Sequence, residues 1–226
     1  MTRILHVVTN VSHYAQADHP TGLWLSELTH AWEVFEAAGF EQTLVSPAGG
    51  AVPLEPRSLT FPNADKTAKA WQADPTRMAL LADTLGPDDI DAAEFDAIYF
   101  TGGPRGDVRL HGQRWAAPDH ARDLGARRRG RIGVPRLLRP PQHHAVRRLL
   151  PHGKHLTGFS WTEERLARVD ALVPYNAEQV ATDRGAIYAK AKLPFVSFTQ
   201  VDGRLVTGQN PGSAKETAQK VVAAVG

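Results

Sequence analysis

The stretch Phe95 to Gly103, FDAIYFTGG, constrains the fold more than any other part of the chain. Ala97, Ile98, Tyr99 and Phe100 are apolar without alternation, the pattern of a central parallel strand covered on both faces. The glycine pair that follows lets the backbone approach a ligand closely and offers N–H groups to a developing negative charge. The same pair also suits a plain strand-to-helix turn.

A parallel strand needs partners joined by crossovers, and the preceding residues supply them. ILHVVTN (Ile4 to Asn10) reads as a first buried strand. From Thr21, GLWLSELTHAWEVFEAAGF sets Leu25, Leu28, Trp32 and Phe35 at spacings of three and four, an amphipathic helix with Gly39 past its end. QTLVS (Gln42 to Ser46) is a second strand, followed by the Gly/Pro-rich loop PAGGAVPLEPRSL. Weaker helical stretches at Asp65 to Gln72 and Thr76 to Thr84 precede the acidic turn GPDDIDAAEF and the central strand. This alternation predicts a doubly wound, mainly parallel α/β sheet sandwiched by helices, with Ile4 to Val8, Thr43 to Val45 and Ala97 to Phe100 adjacent. Later in the chain, KHLTGFSWTEE has strand and turn character, and an acidic helical stretch follows. FVSFTQVDGRLVTGQNP reads as paired strands turning at Asp202-Gly203, and Ser213 to Val225 as a closing helix with Ala214, Ala218, Val221, Val222 and Val225 on one face.

A chain of 226 residues with 42% hydrophobic content can bury one large core. It holds no apolar run long enough to span a bilayer, and its N-terminus enters a strand pattern without a signal-peptide layout, so a soluble cytoplasmic protein is expected. The absence of cysteine excludes disulfides, thiolate metal sites and a cysteine nucleophile. Charge is uneven. Pro104 to His152 carries 12 of the 26 Lys and Arg residues, all arginine, and 3 of the 24 acids, so the remainder is net −7. That window has no sustained apolar period, and by composition alone it reads as a solvated loop or a nucleic-acid-binding arm, with Trp115 more exposed than Trp24 or Trp32.

Glu27 stands beside the apolar stripe of the first helix. Position alone gives two readings: a surface glutamate at the stripe's margin, or a carboxyl turned into a pocket, where desolvation raises its pKa.

TGLWLSELTHAWEVFEAAGFEQTLVSPAGG, FDAIYFTGG, LTGFSWTEE and VDGRLVTGQNPGSA, in that order, resemble the PfpI superfamily of class I glutamine-amidotransferase-like proteins. The resemblance is greatest to its branch of heat-shock chaperones, glutathione-independent glyoxalase III enzymes and protein deglycases, and it covers Thr2 to Gly103 and about Gly153 to the C-terminus. It implies one flavodoxin-like domain over residues 1–226, usually a homodimer, acting on small 2-oxoaldehydes such as methylglyoxal or on glycated groups, with no cofactor, metal or membrane. The family's nucleophile is a cysteine on a strand-to-helix elbow, in Val-Cys-His-Gly, where a helix N-terminus lowers its pKa. Glycine N–H groups after the central strand receive the oxyanion, and a buried carboxyl on the first helix shuttles the proton. Glu27 matches that carboxyl, and Gly102 and Gly103 match the oxyanion loop. In the family a further acid or hydrogen-bonding residue near LTGFSWTEE supports the histidine; Glu163 or Glu164 could fill that place, but with no histidine to orient the role is unsupported.

After Gly103 the chain departs from the family, which continues His-Gly-x-Met-aromatic-Asp, and the cysteine is missing. If Pro104 is CCN and Arg105 CGN, reading one base later gives CNC and GNG, which admit His and Gly; continuing to Leu110 admits the family's continuation. The same offset across Gly133 to Leu137 admits Val-Cys-His-Gly, which sets the expected cysteine at the Val134/Pro135 junction. Across Asp123 to Ala126 it admits Ile-Trp-Glu, and from Ala145 to His152 Leu-Ser-Asp-Gly-Ser-Tyr-Leu. Several motifs at one offset, in the right order, read as a frame-shifted segment over Pro104 to His152; the alternative is a true basic insertion in place of the elbow. Three functional classes follow: a glyoxalase III or deglycase lineage whose chain as written is inactive, a cysteine-independent holdase chaperone that needs only exposed apolar surface, and nucleic-acid binding through the arginines, where only Trp115 is available for stacking.

Overall fold

The computed structural model describes residues 1–14, 18–101, 132–133 and 152–226. Strand β1 (Arg3–Val7) leads into helix α1 (Leu25–Ala37) and strand β2 (Glu41–Val45). Helices α2 (Lys66–Ala73) and α3 (Pro75–Ala82) precede β3 (Ala97–Phe100) and β4 (Ile132–Gly133). Then come β5 (His155–Leu156), α4 (Trp161–Leu166), α5 (Ala177–Asp183), β6 (Ile187–Tyr188), the hairpin β7 (Thr199–Asp202) and β8 (Leu205–Gly208), and α6 (Ala214–Val225).

The sheet runs β2-β1-β3-β4 with every pairing parallel, so the three segments expected to be adjacent are adjacent. Ile4 stands opposite Ala97 and His6 opposite Tyr99. Both faces are covered, which is why the strands carry no polar alternation. Ile4, Ala97 and Tyr99 pack with Ala31 and Phe35 of α1, Val206 of β8, and Ala218 and Val221 of α6. Leu5, Val7, Val45 and Phe95 form the other face with Ile98 and Phe100. A third cluster, with Leu25, Leu28, Ala68, Trp71 and Leu81, joins α1 to α2 and α3. β5 and β6 are a parallel pair, and β7 and β8 are antiparallel.

The local stops match their chemistry. Gly39 follows α1 at φ 72°, and Gly203 turns the β7–β8 hairpin at φ 61°, both in the left-handed region that favours glycine. Asp65 caps α2, accepting from the Ala68 N–H and the Thr67 hydroxyl, each at 2.9 Å, and it also meets His30 Nε2 of α1 at 2.5 Å. Asp65→Ala removes the cap and the inter-helix contact together and should cost about 1–2 kcal/mol in a denaturant melt. A loss below a few tenths would show that α2 is held by Trp71 packing alone.

The expectations for the arginine window and for Trp115 lie outside the described residues. Among the described residues, no helix is long and apolar enough to cross a membrane.

Candidate active site

Strand order sets the location. From β1 the chain goes to β2 on one side and returns to β3 on the other, which opens a crevice at the C-terminal ends of β1 and β3. Thr101 stands at that edge, its N–H donated to the Val7 carbonyl at 2.9 Å, and its buried hydroxyl meets no hydrogen-bond partner among the described residues. β4 runs parallel to β3, so its C-terminal end faces the same edge.

Glu27 is the third residue of α1 and is partly buried. Its charge is felt by Tyr99, whose phenol is pushed far above its usual pKa by burial first and by Glu27 second. The Tyr99 hydroxyl donates to the Ala214 carbonyl at 3.3 Å, which ties the end of β3 to the start of α6.

The second half of the chain reaches the same edge. The Thr157 N–H donates to Thr207 Oγ1 at 2.9 Å, and Lys154 Nζ meets Asp202 at 2.7 Å, so β5 runs in the direction of β8, whose end leads to Ala214. The Thr157 hydroxyl is buried and, like that of Thr101, has no partner among the described residues. α4 begins just beyond, capped by Ser160.

The two acids on α4 differ in their surroundings. Glu163 is fully buried and acts as a hub. Its Oε2 accepts from the Ser160 N–H (2.9 Å), the Ser160 hydroxyl (2.8 Å) and Gln209 Nε2 (2.9 Å). Its Oε1 accepts from the Phe195 N–H (2.8 Å) and Asn210 Nδ2 (2.9 Å). Burial alone would raise its pKa, but these donors outweigh it and hold the carboxyl below the usual range. Glu164, the next residue, is also buried.

Gly102, Gly103, Val134 and Pro135 lie outside the described residues. Sequence reasoning missed the hydroxyls of Thr101 and Thr157 and the cluster of buried Tyr14, Thr21 and Glu55 with half-buried Arg57 beside α1. It also passed over the pattern Ser160-x-x-Glu163, a capping-box signature that was open to it. No cysteine exists in the chain, and no group of metal-binding side chains occurs among the described residues. The chain offers no thiolate to this edge.

No protein-family model matches the chain. The glutathione-independent glyoxalase hsp3101 of Schizosaccharomyces pombe is 30% identical over 89% of this chain and 86% of its own length. Glyoxalase 3 of Candida albicans is 27% identical over 99% and 98% of the two chains. The crystal structure of glyoxalase III from Candida albicans superposes with a TM-score of 0.73 at 25% identity, covering 99% of this chain and 97% of that one. The 24 kDa rapid encystment protein of Francisella tularensis gives 0.84 at 25% identity, with both chains fully covered. Drosophila melanogaster DJ-1beta, at 16% identity and a TM-score of 0.52, shares the fold. With its flavodoxin-like parallel sheet and relatives matched over most of their lengths, the chain belongs to the glutathione-independent glyoxalase (glyoxalase III) family.

Proposed function

We propose that this chain descends from an enzyme that converts 2-oxoaldehydes such as methylglyoxal to 2-hydroxy acids, and that as written it is catalytically silent. The observation carrying the reading is Glu27 in the first turn of α1, at the C-terminal edge of a sheet whose relatives are named glyoxalases. In the complete site a thiolate near the Val134/Pro135 junction attacks the aldehyde carbon, and the N–H groups of Gly102 and Gly103 receive the oxyanion. Glu27 takes the proton from that carbon and returns it to the neighbouring carbonyl carbon, so that the hemithioacetal becomes a 2-hydroxy thioester with no net oxidation. Water then releases the acid. Of the two acids on α4, Glu164 is the one to support the histidine, because the lone pairs of Glu163 are already taken by five donors. A cytoplasmic homodimer fits the same lineage, as does action on glycated groups.

Turnover is the test. The chain as written should form no lactate from methylglyoxal above background. A chain with its frame restored between Gly103 and Gly153 should do so, with Glu27→Gln lowering kcat by roughly 10²–10⁴. Turnover by the present chain that Glu27→Gln abolishes would overturn the proposal, since another nucleophile would be at work.

A holdase is the second reading, favoured by one surface feature. Leu193, Phe195 and Val196 are exposed together on a loop tied down by Glu163 and Asn210. Suppression of client aggregation by the present chain, lost in Phe195→Asp, would support it. Nucleic-acid binding rests only on the arginine window, and a salt-dependent shift of generic DNA would be its sign.

A further inference from the structure

Helix α1 carries the proposed proton shuttle in its first turn, yet its own sequence does not cap that turn. Trp24 occupies the N-cap position and makes no side-chain cap. Helix starts leave N–H groups without internal partners, and an uncapped first turn frays. Here the cap comes from a segment some thirty residues further along. The Leu25 N–H donates to Ser58 Oγ at 3.2 Å, and that hydroxyl donates in turn to the Glu55 carbonyl at 2.7 Å. The Leu23 N–H reaches the Pro53 carbonyl at 2.8 Å, and the Glu55 N–H reaches the Leu23 carbonyl at 2.9 Å.

The fully buried Glu55 carboxylate completes the clamp. Its Oε2 accepts from the Thr21 hydroxyl at 2.9 Å, and its Oε1 accepts from Arg57 Nε at 2.7 Å and from the Arg57 N–H at 3.3 Å. Arg57 also reaches the Tyr14 hydroxyl at 3.4 Å, on the far side of the β1–α1 connection. Gly22 permits the approach, because a Cβ there would lie 2.3 Å from the Pro53 carbonyl oxygen. The carboxyl is held below its usual pKa against its burial, chiefly by the Arg57 hydrogen bond and charge, so the clamp stays charged near neutral pH.

We propose that Glu55 and Ser58 are positioning residues for Glu27, fixing the first turn of α1 from outside the helix. This rests on the reading of Glu27 as the proton shuttle, for which placement within a fraction of an ångström matters.

The test uses the chain as it exists and needs no turnover. Amide exchange at Leu25 to Glu27 and the carbon-13 titration of the Glu27 carboxyl are followed by NMR in the present protein, Ser58→Ala, Ser58→Thr and Glu55→Gln. Ser58→Ala should speed exchange in that turn about tenfold, as expected for one lost hydrogen bond. It should also displace the Glu27 titration, while amides of β2 and α6 keep their rates and Ser58→Thr restores the turn. Should Glu55→Gln fail to fold, Ser58→Ala still decides. Unchanged exchange and titration in Ser58→Ala, or a uniform acceleration across the whole chain, would overturn the proposal. Either result is independent of whether Glu27 proves catalytic, which only the turnover of the frame-restored chain decides.

Discussion

Glu163→Leu should destabilise the protein by about 3–5 kcal/mol, a large part of the net stability of a domain this size. The carboxylate is fully buried and, among the described residues, no cation pairs with it; five uncharged donors from Ser160, Phe195, Gln209 and Asn210 stabilise its charge. Leucine fills the space but leaves those donors unpaired in the interior, where each abandoned group costs about 1–3 kcal/mol before relaxation. Glutamine is no rescue, because its NH₂ would face at least one of the same donors. The damage should be local as well as global. Phe195 has φ 61°, a conformation an L-residue holds only under constraint, and its N–H is one of the tethers. Chemical denaturation should therefore show the loss, and limited proteolysis should find a new cut between Leu193 and Phe198. A loss under about 1 kcal/mol would mean that the hub is not what holds this edge.

The second large effect concerns acid. His6 is fully buried on β1, stacked on Trp32 at 5.4 Å and met by the rings of Phe35 and Tyr99 at 5.5 and 5.6 Å. Gln42 Nε2 donates to the Trp32 carbonyl, which turns its Oε1 toward His6 Nε2, 2.8 Å away. Nε2 therefore carries the proton of the neutral ring, and Nδ1 has no acceptor among the described residues. A second proton is strongly disfavoured: desolvation lowers the pKa from 6.5 to about 4, with the Gln42 hydrogen bond working weakly against it. The unfolded chain binds this proton at the ordinary pKa and the folded chain does not. Stability is thus fully present above pH 6.5 and falls as pH drops from 6.5 to about 4, by roughly 3 kcal/mol in all. The depressed carboxyls of Glu55, Asp65 and Glu163 act in a lower window, beginning near the unfolded carboxylate values, so the two contributions separate. Urea midpoints of the present protein and His6→Leu, compared from pH 7 to pH 4.5, should diverge in slope. Parallel slopes would show that His6 takes up its proton without unfolding.

The backbone plan was open to sequence reasoning because its causes are local. The largely apolar β1, the unbroken apolar run at β3, the three-and-four spacing of Leu25, Leu28 and Phe35, and the glycines at 39 and 203 each act within one element. What escaped was assembled from a distance. The donors to Glu163 come from positions 160, 195, 209 and 210, so adjacent glutamates with the same residue type and helix differ entirely in their surroundings. Glu55 lay within a loop recognised only by its glycines and prolines, and its cap function appears only once Leu23 and Leu25 are beside it. His6 read as one more strand residue, and nothing in ILHVVTN marks the aromatic rings that α1 and β3 bring around it.

The core cluster that joins Ile4, Ala31 and Phe35 to Val206, Ala218 and Val221 has a consequence for how the protein is made. The face of β1 and α1 is not covered until the last helix arrives. A ribosome adding roughly 5–20 residues per second leaves that face open for roughly ten to forty seconds after Phe35 is synthesised. During that time the nascent chain presents a parallel sheet edge and an aromatic surface to its surroundings. This core face is therefore open in newly made copies and covered in mature ones, and slowing translation lengthens the exposure.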